Sequence, residues 1–276
     1  MAASPWPARL AVIASVAVLA GVSLAIGGGG GQSSASLALH GDGLSDAHDG
    51  FRLAPVTLPD ARGRSVPAAF RIVDQKGRPQ AEYEDRRSRR MHVYVVRDDT
   101  HAYQHLHPKL DGDTWRVAVS VPDGGQYRLF AEFVPVGGRD AAHPILLGVP
   151  FTVAGDTEFA PIPAPAASAK VDGLTVVRPE GTAKPVRGKR VTLRFRVSGR
   201  SGALKPHHGA YAHLTAFNAM TLAIVDARPV EASESALNQR ELVFRARFAE
   251  RGEHRLFVEF RTGGTRHVAA FTIFVT

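Results

Sequence analysis

Apolar and polar positions alternate through most of the chain beyond residue 50. MHVYVV (91–96), TWRVAVSV (114–121), QYRLFAEF (126–133), TLRFRV (192–197), ELVFRARF (241–248), EHRLFVEF (253–260) and HVAAFTIFV (267–275) are short runs rich in Val, Phe and Thr. Runs of period two predict half-buried β-strands. The segments DQKG, VPDGGQ, SGRSG, AERGE and RTGG separate them and read as turns. No stretch after Ile26 holds a helical period long enough to predict a helix.

The N-terminal segment breaks this pattern. Residues 10–26, LAVIASVAVLAGVSLAI, carry no charge and are followed by five glycines. Seventeen residues lie at the short end for a spanning helix and above the usual signal core. The expectation is an uncleaved single-pass anchor. The alternative is a cleavable signal ending near Ser33-Ser34-Ala35. Arg9 precedes the segment and no charge follows until Asp42, so the basic flank stays inside. Both readings place residues 40–276 outside the cytoplasm, either on a single-pass membrane protein or, after cleavage, secreted.

The long C-terminal part repeats itself. Gly63-Arg64-Ser65-Val66 through Gly77 lies over Gly188-Lys189-Arg190-Val191 through Gly202 at an offset of 125. His92-Val93 lies over His213-Leu214 at 121, and 128–133 (RLFAEF) over 255–260 (RLFVEF) at 127. A Pro/Ala-rich stretch, 154–170, separates the copies and reads as a semi-stiff linker. The predicted organisation is a signal-anchor segment (1–35), a flexible tether (36–50), a first domain (51–153), the linker (154–170) and a second domain (171–276). Six or seven strands per copy predict an all-β fold: two tandem immunoglobulin-like antiparallel β-sandwiches.

Composition sharpens the chemistry. The 276 residues include no cysteine, which excludes a thiol nucleophile, a thiolate metal ligand and a disulfide framework. The net charge of +8 belongs entirely to residues 171–276, with 17 Lys/Arg against 9 Asp/Glu. Their arginines mostly alternate along strands, as Arg194/Arg196 and Arg245/Arg247 do, which is the pattern of a wet sheet face. With an exported location this argues against nucleic acid and leaves anionic lipid headgroups as a partner for the second domain.

Twelve histidines remain, and the densest group lies in 91–115, MHVYVVRDDTHAYQHLHPKLDGDTW. A hairpin turning at Asp98-Asp99 places His92 opposite His105, with His107 diagonal on the same face. Opposed Cβ atoms lie about 5 Å apart and diagonal ones about 7–8 Å, so three rings at such points can converge on one ion. Three neutral imidazoles suit copper or zinc rather than magnesium or calcium. A one-residue slip would separate His92 from His105. Tyr94, Val96 and Tyr103 share the histidine face, which is expected at the rim of the sandwich. Met91 faces the other way and His101 lies near the turn.

In the second copy His213 matches His92, but Asp226 and Arg228 stand where His105 and His107 stand, so the same site is expected to be lost there. The second domain is expected to be a degenerate, structural copy; the alternative is that His207, His208 and Asp226 form a different site or complete the first one across the domain interface. The acidic and histidine residues of the tether read as a solvated linker. Glu132 and Glu259 match in the repeat, but equivalent residues of separate domains need not meet. No Gly-x-Ser-x-Gly, phosphate loop, dinucleotide fingerprint or His-Glu-x-x-His motif is present, so no enzyme is predicted.

MHVYVVRDD, HLHP, TW and YRLFAEF together resemble the first half of a family of bacterial exported proteins related to the YtkA-like immunoglobulin-fold domains. GAYAHLTAF and HRLFVEF resemble their companion domain. The resemblance implies an exported tandem sandwich with a connection to copper or other heavy metals. That family's pattern repeats His-x-His-Pro in the second domain, where this chain has Asp226-Ala227-Arg228-Pro229, leaving His92, His105 and His107 as the matching set. The expected function is a membrane-tethered extracytoplasmic protein binding copper or zinc, exchanging it with a metal donor or acceptor protein. The alternatives are an envelope structural or interaction module without metal and, behind both, a metal-dependent oxidoreductase.

Overall fold

The computed structural model describes residues 41–137, 144–207 and 209–276. The apolar run 10–26 and His208 lie outside the described residues. Among the described residues no helix is long and apolar enough to cross a membrane.

The alternating runs form strands, and each repeat makes two facing sheets. In the first sandwich one sheet has the order β1 (Ala47–His48), β2 (Phe51–Thr57), β3 (Gly63–Asp74), β7 (Thr114–Val121), β6 (Lys109–Asp111). The other has the order β5 (Tyr103–Leu106), β4 (Met91–Arg97), β8 (Gly125–Phe133), β9 (Ile145–Val153). In the second sandwich β10 (Ser168–Val171), β11 (Leu174–Val177), β12 (Arg190–Ser198), β16 (Glu241–Arg247) and β15 (Asp226–Pro229) form one sheet in that order. In the facing sheet β17 (Gly252–Thr262) pairs with β13 (Leu204–Lys205), β14 (Ala212–Asn218) and β18 (Thr265–Val275). All these pairings are antiparallel. A five-residue helix, α1 (Glu234–Asn238), capped by the Ser233 hydroxyl, joins β15 to β16.

Each sandwich closes over its own apolar core. Phe70, Trp115, Leu129 and Phe133 fill the first, and Phe195, Phe244, Leu256 and Phe271 the second. A third cluster fills the space between the sandwiches. It joins Tyr94, Val96, Phe130 and Leu146 to Phe217, Leu222 and Phe257. Tyr103 stacks on Phe257 with ring centroids 4.1 Å apart, and its hydroxyl donates to Thr215 Oγ1 at 2.8 Å. Every residue of β4 and of β14 is therefore buried, on one side by its own core and on the other by the neighbouring sandwich. The histidine face expected at a sandwich rim is instead an interior surface.

Residues 41–50, expected within a loose tether, pack onto this assembly. Ala47 and His48 pair with β2, and the Ile224 amide donates to the Asp42 carbonyl at 3.0 Å. Gly43 has φ +76°, and a Cβ there would stand 2.3 Å from the buried Phe130 ring. Gly43→Ala should therefore cost about 1–3 kcal/mol by overpacking. Urea unfolding measures this, and an unchanged midpoint would mean that the segment is not docked.

Candidate metal centre

The hairpin that carries the histidines turns through four residues rather than two. The Arg97 amide donates to the Ala102 carbonyl at 2.9 Å, and Thr100, at φ +61°, donates its amide to the Arg97 carbonyl at 2.8 Å. The buried Arg97 guanidinium pairs with Asp99 at 2.5 Å and Asp123 at 2.6 Å, and Asp99 accepts the His101 amide at 3.0 Å. These charge-assisted bonds draw Asp99 back onto Arg97 and widen the turn. Tyr94, not His92, is therefore the partner of His105, and Val93 pairs with Leu106. A slip of two residues preserves the side-chain alternation, so the three histidines stay on one face. His105 stacks on Tyr94 with centroids 4.8 Å apart, and His107, just past β5, reaches the His92 ring at 5.0 Å.

One ligand nitrogen from each of His92, His105 and His107 lies within 4.8 Å of the others. His92 and His105 are 1 % and 4 % exposed, and His107 is half-buried. The closest approach is His92 Nδ1 to His105 Nε2, 2.9 Å. Tetrahedral zinc–nitrogen bonds of about 2.0–2.1 Å set donor atoms about 3.3 Å apart, inside the range spanned here.

The outer nitrogens decide what the inner ones carry. His92 Nε2 lies 3.1 Å from the Arg86 carbonyl oxygen, which only accepts, so this nitrogen is the N–H donor. His105 Nδ1 lies 3.1 Å from Glu259 Oε2. Burial would raise the Glu259 carboxyl, but bonds from His105 and Arg266 outweigh it and hold it well below its ordinary value. Arg266 clasps that carboxylate with two contacts of 2.8 Å. Glu259 is thus an acceptor as well, and His105 Nδ1 is its donor. A neutral His92 has one proton, so its Nδ1 presents a lone pair toward His105 Nε2, 2.9 Å away. Burial also pushes the His92 ring down to about 4, despite the opposing effect of Glu132. A carboxylate or carbonyl behind each ring is the usual backing of a ligating histidine.

The repeat extends to this backing. His92 is the strand partner of Glu132, and His213 that of Glu259. His213 Nε2 donates to the His207 carbonyl at 2.9 Å, as His92 Nε2 does to Arg86. Both carbonyl positions are 121 residues apart, like the histidines. The His213 ring lies 5.8 Å from that of His105, and burial lowers it to about 3. Burial would raise Glu132, but Arg87 and Arg86 hold it at about 2. It accepts the Tyr94 hydroxyl at 2.7 Å and pairs with Arg86 at 3.2 Å.

The remaining candidates lie apart from the cluster. Met91 is buried in the first core, and His101 sits against Asp99 in the turn. Asp226 pairs with Arg228 at 3.2 Å on β15, which has left for the other sheet. Asp226 also lines a cavity of about 30 Å³ with Glu132, Arg86 and Arg87. His207 reaches Glu259 at 3.7 Å. Glu259 and Arg266 were not anticipated as supports of the site. The matched His and Glu positions of the two copies were the available signal, and they required the knowledge that the sandwiches pack face to face.

A family described as a domain of unknown function (DUF8832) matches residues 51–149 and 169–276. The chain belongs to this family. No curated protein matches it. Among solved structures, the Escherichia coli adhesin FdeC is 13 % identical, with 83 % of this chain and 64 % of that one covered, at a TM-score of 0.26. The chain thus spans less than two thirds of that adhesin's structure. The fibronectin(III)-like modules of Clostridium thermocellum CbhA are 10 % identical, with 81 % and 92 % covered, at 0.24. Domains 4 and 5 of the S-layer protein SbsC are 11 % identical, with 82 % and 97 % covered, at 0.24. Likenesses at these scores carry no argument about function.

His92 and His213 are neutral in the fold, against an ordinary value of 6.5. The unfolded chain binds more protons below pH 6.5, so their stabilisation is complete above that pH and is lost as pH falls toward 4. The metal-free protein should lose about 1.4 kcal/mol per pH unit for each ring in that window. Urea unfolding at pH 7 and pH 4.5 checks this. Equal stabilities at the two pH values would show that the rings are not buried neutral.

Proposed function

We propose that this chain is a non-enzymatic extracytoplasmic protein, tethered to the membrane through residues 10–26, that binds copper or zinc at His92, His105 and His107. The convergence of one ligand nitrogen from each of the three rings to within 4.8 Å, with His92 Nδ1 and His105 Nε2 2.9 Å apart, carries this reading. His107 supplies a third donor within reach. A donor set of imidazole nitrogens favours copper or zinc over hard cations. The absence of cysteine and the interior position of Met91 leave histidine as the ligand type. The resemblance of MHVYVVRDD and HLHP to YtkA-like exported domains agrees with a role in metal tolerance or in delivery to an acceptor protein. Calorimetry at pH 7 should show equimolar Cu(II) or Zn(II) binding at micromolar or tighter affinity. His105→Ala and His107→Ala should each abolish it, and absence of binding by the wild-type protein would overturn the reading.

A second reading, contact of the second sandwich with anionic lipid, is supported by the register of its outer sheet. Arg190 is the strand partner of Arg247, and Arg228 that of Arg245. Like charges directly opposite destabilise a sheet. The four arginines line one cleft of about 400 Å³, whose only acids are Asp226 and Glu231. Anionic vesicles should bind the protein at low salt and release it at high salt, and Arg245→Gln with Arg247→Gln should weaken that binding. Equal binding to neutral vesicles would exclude a headgroup contact.

A further inference from the structure

We propose that the second sandwich presents a basic docking surface beside the metal centre, and that this surface receives an acidic segment of the protein that exchanges metal with this chain. The proposal rests on the three-histidine reading above and names the chemistry of its exchange partner. The path from the metal centre to the surface comes first. β5 runs along β17 across the interface: Tyr103 stacks on Phe257, and His105 bonds Glu259. The next residues on those two faces are His107 and Arg261. His92 and His105 are buried and His107 is half-buried, so an ion is reached from the side of His107.

That side is basic. Lys205 is the strand partner of Arg261, and Arg261 that of Arg266, so three cations lie side by side across β13, β17 and β18. Directly opposite residues share a face of the sheet. At a strand spacing of about 4.8 Å the row is about 10 Å wide. Lys205 and Arg266 are exposed and Arg261 is half-buried. Among the described residues Glu259 is the one carboxylate paired with the row, and Arg266 takes it with two contacts of 2.8 Å. Arg261 Nη2 donates to the Gly264 carbonyl at 2.6 Å, which leaves its charge uncompensated. The row reaches the metal centre, because Arg266 Nη2 also donates to the His105 carbonyl at 3.4 Å.

Like charges directly opposite destabilise a sheet. The fold itself does not require them: at an offset of 127 the first copy has Val134 where the second has Arg261. The complement of such a row is a set of carboxylates. A width of about 10 Å suits carboxylates spread along a protein segment better than the compact charge of one small chelate. Opposite charges steer the encounter and set its register, and the carried ion then arrives beside His107.

The test uses the full-length protein and two synthetic carrier peptides of equal length. Both hold Zn(II) through the same histidines; one has glutamates between them and the other lysines. Stopped-flow mixing should show transfer from the acidic carrier roughly tenfold or more faster at low salt. The difference should vanish at 1 M salt, where charges are screened within about 3 Å. Lys205→Gln with Arg261→Gln should slow transfer from the acidic carrier and leave the affinity for free Zn(II) unchanged; Lys205→Arg with Arg261→Lys should restore the rate. Arg266 is kept because it clasps Glu259. Equal rates from the two carriers, in a protein that binds free Zn(II), would overturn the docking surface and leave the metal site standing. Zinc nitrilotriacetate transferring as fast as the acidic peptide, and slowed equally by the double variant, would overturn the assignment to a protein segment. Absence of free Zn(II) binding by the wild type would remove both readings.

Discussion

Two sheets that would each face water in a lone sandwich are buried against one another, and the chemistry of the molecule depends on that. The outward faces of β4 and β14 carry His92 and His213 as well as apolar residues. Burial of such groups is tolerated only when each finds a partner. The partners come from both sandwiches. Arg266 and His105 hold Glu259, Arg86 and Tyr94 hold Glu132, and the aromatic packing of Tyr103, Phe217 and Phe257 excludes water around them.

The interface pairs equivalent faces of the two repeats, as an isologous dimer would. Within one chain the two halves were free to diverge. The first kept a hairpin strand, β5, that brings His105 and His107 beside His92. In the second the corresponding segment makes a brief bridge, Phe217 to Ile224, and then leaves for the opposite sheet as β15. Asp226 and Arg228 pair with each other there at 3.2 Å and are not a ligand set. What the second copy retains on the shared face is His213 with Glu259, one turned by a carbonyl and the other clasped by Arg266.

Local pattern was enough for much of this. The alternation of Val and Phe marks the strands because a pleated chain sends successive side chains to opposite faces. The offsets near 121–127 reveal the duplication. The histidine set was legible because parity alone places His92, His105 and His107 on one face, and parity survives a register error of two. The error itself arose in the turn, where the pairing of Arg97 with Asp99 and Asp123 involves a residue 26 positions away.

The sequence by itself thus determined the all-β class, the two-copy organisation, the absence of thiol chemistry and the residue types available to a metal. Only the tertiary structure decided that the histidine face is interior, that Glu259 backs His105 and that His213 stands beside them. These facts depend on contacts between residues more than a hundred positions apart. Periodicity reports which face of a strand a side chain takes; it carries no information on what that face is packed against.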